Sequence, residues 1–283
     1  MQILVLGANG QLGSEFRDLS KESENEFIFW SREDLDLSNL KSIEEQLNSI
    51  SFDVVINCSA YTAVDKAESD QESAFKVNGY AVGKLAQFCA SNNKVLLHYS
   101  TDFVMDGNGN IPLEEEDLTN PVSVYGNSKL HGELLIQEFC SKFYIIRTAW
   151  VYSTYGSNFA KTMNKLISER ESLGVVYDQI GTPTYAQDIA KTTMDIINHE
   201  KFYDAFGIYN FSNEGAASWY DFAKAIQLNK GYKCDLKPIL THEYPTPAKR
   251  PVYSVLNKAK IKDVFGVKVR YWKEALEDCL KSL

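Results

Sequence analysis

The first half of the chain alternates short apolar runs with longer segments of helical periodicity. Each apolar run is bounded by polar or glycine positions, which predicts a buried strand. Between the runs apolar residues recur at helical spacing, as Leu130, Leu134 and Phe139 do in the last such segment. Strands that alternate with helices predict right-handed βαβ units, and therefore an α/β fold with a parallel sheet. The predicted strands are residues 3–6, 27–30, 54–57, 95–99 and 143–147, and the predicted helices are residues 11–19, 39–50, 71–91 and 124–139.

The pattern loosens after about residue 150. Helices are predicted near residues 158–169, 186–198, 218–227 and 272–280, with a short strand at 175–177. Residues 236–252 contain four prolines and no periodicity, which is typical of a binding loop. In the first half, Ser38 is the expected N-cap of the helix that follows it.

Composition narrows the class of protein. Hydrophobic residues make up 44% of the chain, enough for a large core, but none of the apolar runs reaches the ~18–20 residues of a membrane helix. The N-terminus has no basic region before its apolar run, so we expect a soluble, cytoplasmic protein. The formal net charge of −9 argues against non-specific binding of nucleic acid. The five cysteines show no metal-binding spacing, and we expect no required metal.

A glycine loop follows the first predicted strand and opens a helix. Gly7, Gly10 and Gly13 are spaced as GxxGxxG, with Gln11 and Leu12 between the last two. Glycines allow a pyrophosphate to approach the backbone closely, and the helix N-terminus then offers free N–H groups and a positive dipole. The loop therefore predicts a dinucleotide site.

The end of the second predicted strand bears on the choice of cofactor. An acidic residue there usually binds the ribose hydroxyl of NAD, whereas this chain has Ser31 and Arg32. A hydroxyl and a guanidinium suit a 2′-phosphate, so we expect NADPH. Glu33 and Asp34 follow directly and keep NADH possible.

Tyr125 and Lys129 form a Tyr-x-x-x-Lys motif at the start of a predicted helix, where this spacing puts both side chains on one face. We expect the ammonium to lower the pKa of the phenol, which can then protonate a carbonyl oxygen as hydride arrives. Thr101, at the end of the preceding strand, is the expected third catalytic residue. His98 lies within that strand and is assigned a structural role.

These motifs resemble the dTDP-4-dehydrorhamnose reductase family. The resemblance runs over nearly the whole chain, and its most specific blocks are residues 62–68 and 244–251. Further matching blocks are residues 7–13, 99–104, 124–129, 147–152, 158–163 and 178–184.

The resemblance implies a Rossmann-type doubly wound parallel sheet over residues 1–150 and a smaller C-terminal substrate-binding lobe over residues 151–283, with the chain free to cross between them. It implies reduction of the 4-keto group of dTDP-4-dehydro-L-rhamnose by NAD(P)H, by a monomer or homodimer. The cofactor contacts expected from the resemblance are Gly10, Gln11, Leu12, Asp36, Leu37, Ala60, Tyr61, Thr62, Tyr99, Tyr125 and Lys129. The expected substrate contacts are Thr101, Asp102, Trp150, Asn158 and, from charge and loop position, Lys249 and Arg250.

The sequence departs from the family pattern at a few positions. Phe103 stands where tyrosine is usual, and Met105 stands where phenylalanine is usual. Some members dimerise through magnesium bound by glutamates. Glu15 matches one of these, but Gln187 stands where another would be, which argues against a metal-bridged dimer.

Two other functions remain open at this stage. The chain could be another nucleotide-sugar 4-ketoreductase or a 4-epimerase, which would hold NAD tightly and recycle it. It could also be a non-catalytic NADP-binding subunit that supports a methionine adenosyltransferase. The complete set of Thr101, Tyr125 and Lys129 favours a reductase.

Overall fold

The computed structural model describes all 283 residues, and its centre is a six-stranded sheet with strand order β2-β1-β3-β4-β5-β10. Every neighbouring pair in this sheet is parallel. The chain moves outward from β1 to β2 and then returns to the other side of β1, so the order reverses between β1 and β3. The predicted doubly wound parallel sheet is confirmed. Its strands are β1 (Gln2–Leu6), β2 (Glu26–Trp30), β3 (Val54–Asn57), β4 (Val95–Thr101), β5 (Phe143–Thr148) and β10 (Gly207–Asn210).

Helices cover both faces of the sheet because its central strands are apolar on both sides. One face packs against α1 (Gln11–Leu19), α8 (Ala186–Ile197) and α10 (Ala259–Phe265), with Phe16, Ile189 and Phe265 in the shared core. The other face packs against α2 (Ile43–Asn48), α5 (Ala81–Ser91) and α6 (Val124–Phe139). The short helices α3 (Val64–Ala67) and α4 (Gln71–Phe75) precede α5.

A separate core forms in the C-terminal half around Tyr152, Phe222 and Trp272. The helices α7 (Phe159–Glu169), α9 (Trp219–Lys230) and α11 (Trp272–Leu280) enclose it. Three two-stranded ladders support these helices: β6 with β9, β7 with β12 and β8 with β11. Their strands are β6 (Val151–Tyr152), β7 (Ser172–Val176), β8 (Ile180–Gly181), β9 (Thr184–Tyr185), β11 (Ala217–Ser218) and β12 (Asp235–Ile239).

The C-terminal half also returns to the first core. Strand β10 extends the main sheet beside β5, and α8 packs on α1. The polypeptide therefore crosses back to the first core between residues 186 and 211 and again between residues 259 and 267.

Three local predictions were wrong. Ser38 does not cap the second helix, which begins at Ile43; its N–H donates to Asp36 Oδ1 in a turn instead. The segment predicted as one helix over residues 71–91 contains a π-helical stretch, Lys76–Tyr80, between α4 and α5. The start of the proline-rich segment forms β12, which holds Pro238 in a two-stranded ladder.

Candidate active site

The largest cleft opens at the carboxyl ends of β1 and β3, where the strand order reverses and where ligands bind in such sheets. Its volume is about 960 Å³, and its walls come from the glycine loop, the segment after β3, the end of β4 and the first turns of α6. Val151, Gly156 and Ser157 close one side, so the C-terminal half contributes to the same cleft.

Below the cleft, the backbone of the glycine loop packs directly against neighbouring backbone segments, with no side chain between them. Gly7 has φ of +75°, and a Cβ there would lie 2.8 Å from the Ser59 backbone nitrogen. A Cβ on Gly13 would lie 2.4 Å from the Gly7 carbonyl oxygen. Helix α1 begins after Gly10 with no side chain capping it, which leaves its first N–H groups free for an anion.

Three contacts fix the start of α6. Ser123 is the N-cap and its hydroxyl accepts the Gly126 N–H at 3.1 Å. Glu68 accepts the Val124 N–H at 2.9 Å, so an acidic residue of the 62–68 block sits at the positive end of this helix. The Phe103 ring meets the Tyr125 ring edge-on, with centroids 5.5 Å apart. The phenylalanine that replaces the usual tyrosine therefore still packs against Tyr125.

Lys129 is 2% exposed, and its ammonium nitrogen is bound from β4. The nitrogen lies 2.6 Å from the Tyr99 carbonyl oxygen and 3.1 Å from Nε2 of His98. Burial lowers the pKa of Lys129 to about 8, and the carboxylate of Glu133 opposes that effect. This lysine therefore changes charge in the range where enzymes of neutral pH work.

The expectation that Lys129 lowers the pKa of Tyr125 was wrong for this structure. Burial raises the pKa of Tyr125 to about 12; the Thr101 hydroxyl opposes this, and the charge of Asp102 adds to it. The ammonium binds the Tyr99 carbonyl and His98 and makes no hydrogen bond to the phenol. Tyr125 thus stays protonated at neutral pH, as a proton donor must.

Thr101 and Asp102 form a buried polar pair at the end of β4. The Thr101 hydroxyl donates to Asp102 Oδ1 at 2.9 Å and accepts the Phe103 N–H at 3.2 Å. Asp102 is 2% exposed; the Ser254 hydroxyl is close enough to its carboxyl group to oppose the rise of its pKa, but Oδ2 makes no well-formed hydrogen bond. Burial raises the pKa of Asp102 to about 6.

Trp150 has a φ of +49° and stacks face to face on Trp219, with ring centroids 3.5 Å apart. A Cβ on Gly181 would lie 2.6 Å from the Trp150 ring, so the indole sits in a close-fitting slot. A positive φ in a bulky residue is strained and is concentrated at functional sites. Sequence reasoning missed Trp219, which lies 69 residues away along the chain.

The remaining predicted substrate residues are engaged elsewhere or solvent-exposed. The Asn158 side chain caps α7 and donates to Gln11 Oε1 at 2.9 Å, which ties the C-terminal half to the glycine loop. Arg250 forms a two-pronged ion pair with Asp65, so its charge is already balanced within the chain. Lys249 is exposed.

Most of the predicted cofactor residues line the cleft. The exceptions are Gly13, buried beneath the loop, and Ser31, whose hydroxyl donates to Asp34. Tyr99 lines the cleft, but its hydroxyl is bonded to Thr193 at 2.6 Å. The predicted residues that line it are Gly7, Gly10, Gln11, Leu12, Arg32, Asp36, Leu37, Ala60, Tyr61, Thr62, Tyr99, Tyr125 and Lys129. Sequence reasoning did not assign Asn9, Lys66, Ser73, Lys76, Thr148 and Ser157 to the site, although Asn9, Lys66 and Thr148 lie within matching blocks.

A doubly wound parallel sheet whose glycine loop and Tyr-x-x-x-Lys helix face one cleft defines the short-chain dehydrogenase/reductase class. No group of three or more His, Cys, Asp or Glu side chains is arranged to hold a metal ion. No helix is both long enough and apolar enough to span a bilayer.

Comparison with known proteins defines the family. The model of the RmlD substrate binding domain matches residues 1–283. A dTDP-4-dehydrorhamnose reductase of Aggregatibacter actinomycetemcomitans is 39% identical over 286 residues, covering 98% of this chain and 97% of the relative. The crystal structure of such a reductase from Clostridium acetobutylicum superposes with a TM-score of 0.95 at 40% identity and covers 99% of both chains. The corresponding Bacillus anthracis structure, in complex with NADP, gives a TM-score of 0.94 at 32% identity and covers 100% of this chain and 99% of that one. The chain belongs to the dTDP-4-dehydrorhamnose reductase family, and the resemblance seen in the sequence is confirmed.

Proposed function

We propose that this protein reduces the 4-keto group of dTDP-4-dehydro-L-rhamnose with NADPH and produces dTDP-L-rhamnose. The observation that carries the proposal is that Tyr125 and the buried Lys129 both line the cleft that the glycine loop enters. Relatives over the full length of the chain are named for this reaction.

The cleft fits a nicotinamide dinucleotide. A side chain at Gly7 or Gly13 would collide with backbone, so the loop keeps open a surface on which a pyrophosphate can lie. The uncapped start of α1 supplies N–H donors for the phosphate oxygens. Both sets of features lie on the same side of the sheet as Tyr125 and Lys129.

Arg32 supports NADPH as the preferred form of the cofactor. Its side chain is 80% exposed at the mouth of the cleft and pairs with Asp36 only through a single carboxylate oxygen at 3.2 Å. An exposed pair of this kind is weak, so a 2′-phosphate can compete for the guanidinium. Lys66 and Lys76 line the same cleft and add positive charge.

The cofactor, when bound, supplies a hydride to the carbonyl carbon of the sugar. Tyr125 gives its hydroxyl proton to the carbonyl oxygen, and Lys129 stabilises the tyrosinate that remains. We assign to the Thr101 hydroxyl a hydrogen bond to the same oxygen, which it can donate once it turns away from Asp102 Oδ1. Thr101, Tyr125 and Lys129 are the catalytic residues of this proposal.

We assign most of substrate binding to the C-terminal half of the chain. We propose that residues 151–283 supply most of a smaller lobe, with β10, α8 and α10 as the parts that return to the main sheet. Asp102 Oδ2 and Trp150 are the groups that we assign to the sugar. Arg250 is assigned a different role from the one its charge suggested: through Asp65 it anchors the 244–251 loop to the segment beside the cleft.

The test is stoichiometric oxidation of NADPH with dTDP-4-dehydro-L-rhamnose, compared with other 4-keto nucleotide sugars. Tyr125→Phe should lower kcat by roughly 10²–10⁴-fold while NADPH binding is kept. Tyr80→Phe is the matched control, because Tyr80 is 53% exposed. The kcat of this variant should equal that of the native protein. Near-native turnover in Tyr125→Phe would remove Tyr125 from the mechanism.

The two other functions give different outcomes in the same assay. An epimerase would retain NAD through purification and interconvert sugars without consuming NADPH. A regulatory subunit would bind NADP, turn over no sugar and co-purify with a methionine adenosyltransferase.

A further inference from the structure

A chain of four hydrogen bonds runs through the sheet to Lys129. The Ser59 N–H donates to Asn57 Oδ1 at 3.0 Å, and Asn57 Nδ2 lies 3.1 Å from His98 Nδ1. His98 Nε2 in turn lies 3.1 Å from Lys129 Nζ, which donates to the Tyr99 carbonyl at 2.6 Å. Asn57 and His98 are register partners on β3 and β4, and both side chains are at most 1% exposed.

The donor and the acceptor of each hydrogen bond follow from the chemistry of the two groups that it joins. A backbone N–H can only donate, so the side-chain oxygen of Asn57 faces Ser59 and its NH₂ group faces His98. An NH₂ group also only donates, so Nδ1 of His98 carries no proton. Burial and the neighbouring ammonium lower the pKa of His98, so the ring is neutral, and its one proton is on Nε2.

His98 therefore presents an N–H group to the nitrogen of Lys129. An ammonium has three donors and no acceptor, so it cannot accept this bond, whereas an amine has a lone pair that can. The network is complementary to the amine form of Lys129. We propose that Asn57 and His98 are positioning residues that make Lys129 release its proton more readily by stabilising the amine left behind.

This proposal rests on the proposed reductase function and adds one step to it. Tyr125 loses its hydroxyl proton to the substrate oxygen and becomes a tyrosinate. Lys129 does not touch the phenol, so water in the open cleft carries the Lys129 proton to the tyrosinate, and the Lys129 nitrogen then accepts the His98 Nε2–H bond. Uptake of a proton from water returns Lys129 to the ammonium form, so the cycle balances.

The other charged and titratable groups near Lys129 act alongside this network. Tyr125 and Glu133 are on its own helix, and Glu133 is neutralised by Arg147 on β5. Tyr99 on β4 and Cys58 after β3 line the same cleft, and burial keeps both of them uncharged by raising the pKa of each. Glu133 favours the ammonium, and His98 favours the amine.

The first measurement is the tautomer of His98 by nitrogen NMR of the histidine-labelled native protein. The chain has four histidines, and single replacements of His131, His199 and His242 by Gln assign their signals and leave that of His98. We expect a neutral ring with a bare Nδ1 and a protonated Nε2. A protonated Nδ1 would overturn the proposal without any variant at the site.

The second measurement uses a variant in which the hydrogen bonds between residue 57, His98 and Lys129 should run in the opposite direction. In Asn57→Asp one carboxylate oxygen still accepts the Ser59 N–H, and the other can only accept a hydrogen bond from His98, so His98 should switch to the Nδ1–H tautomer. Its bare Nε2 then accepts a bond from the ammonium. The fall of kcat/KM at high pH, which follows loss of the Lys129 proton, should move up by about one to three pH units.

Asn78→Asp is the matched control, because Asn78 is 1% exposed and bonds to Tyr61 and Ser128 but not to His98. Asn78→Asp should leave the tautomer of His98 unchanged, and it should shift the fall of kcat/KM at high pH by less than Asn57→Asp does. If His98 switches tautomer in Asn57→Asp but the fall of kcat/KM at high pH does not shift, the link between His98 and Lys129 is refuted. Failure of the proposed function would appear separately, as absence of sugar reduction by the native protein, while NMR and the pH dependence of NADPH binding would still decide the inference.

Discussion

Removing the charge of Glu133 tests the buried core of the catalytic helix. Glu133 is 0% exposed, and its carboxylate accepts from Arg147 Nε and, at 2.7 Å, from Nη2. Arg147 Nη1 donates to the Glu115 carbonyl at 3.0 Å, so this guanidinium joins α6, β5 and the loop before α6. In Glu133→Gln the arginine stays buried at 3% exposure and keeps its charge without a counterion.

The magnitude follows from the depth of burial. Breaking a buried pair by neutralising one partner costs about 3–5 kcal/mol, because the remaining charge is not solvated. At about 2 °C per kcal/mol for a chain of this size, the melting temperature should fall by roughly 6–10 °C. Loss of the carboxylate also removes the charge that opposes the lowering of the Lys129 pKa, so the fall of kcat/KM at high pH should begin at a lower pH than in the native protein.

Urea unfolding at pH 7 and a pH profile of kcat/KM measure the two effects. The control replaces both partners, Glu133→Leu with Arg147→Met, and should recover most of the lost stability because no buried charge remains. A loss below about 1 kcal/mol in the single variant would place the pair in the range of exposed ion pairs and refute the argument from burial.

Three further predictions concern other parts of the cleft. Gly13→Ala should weaken NADPH binding at least tenfold in a fluorescence titration, because its Cβ would meet the Gly7 carbonyl at 2.4 Å; unchanged affinity would show that the loop can move aside. Asp65→Asn should change the free energy of unfolding by no more than about 1 kcal/mol, since this pair is partly exposed, yet it should raise KM for the sugar nucleotide by releasing the 244–251 loop. Trp219→Ala should likewise raise KM for the sugar, because Trp150 loses its stacking partner, and equal KM values would mean that the stack does not position Trp150.

The sequence predicted the strands of the first half well because the apolar runs there alternate regularly with segments of helical periodicity, so that even a four-residue run such as β3 stands out. Helix α6 was predicted with both of its ends correct, since Ser123 is an effective cap. Strand β10 was missed, because a four-residue run in a loosely patterned region gives no periodic signal. Ser38 was misread because an aspartate two residues earlier binds its N–H and makes a turn.

Within the site, local motifs could be predicted and long-range partners could not. The spacing of Tyr125 and Lys129 is visible in the sequence, but the partners of Lys129 come from another strand. The pairing of Asn57 with His98 depends on strand register, and that of Trp150 with Trp219 depends on how the segment after β5 meets the start of α9. The basic side chain of Arg250 suggested a phosphate contact, whereas its partner Asp65 lies 185 residues away.

The position of β10 has a consequence for synthesis of the chain. Until residues 207–210 leave the ribosome, the outer edge of β5 has no partner, although the glycine loop and the Tyr125 helix are already complete. An open edge of this kind is a template for pairing with another chain. A nascent or truncated polypeptide that ends near residue 150 should therefore depend on chaperones or aggregate, even though it contains every proposed catalytic residue.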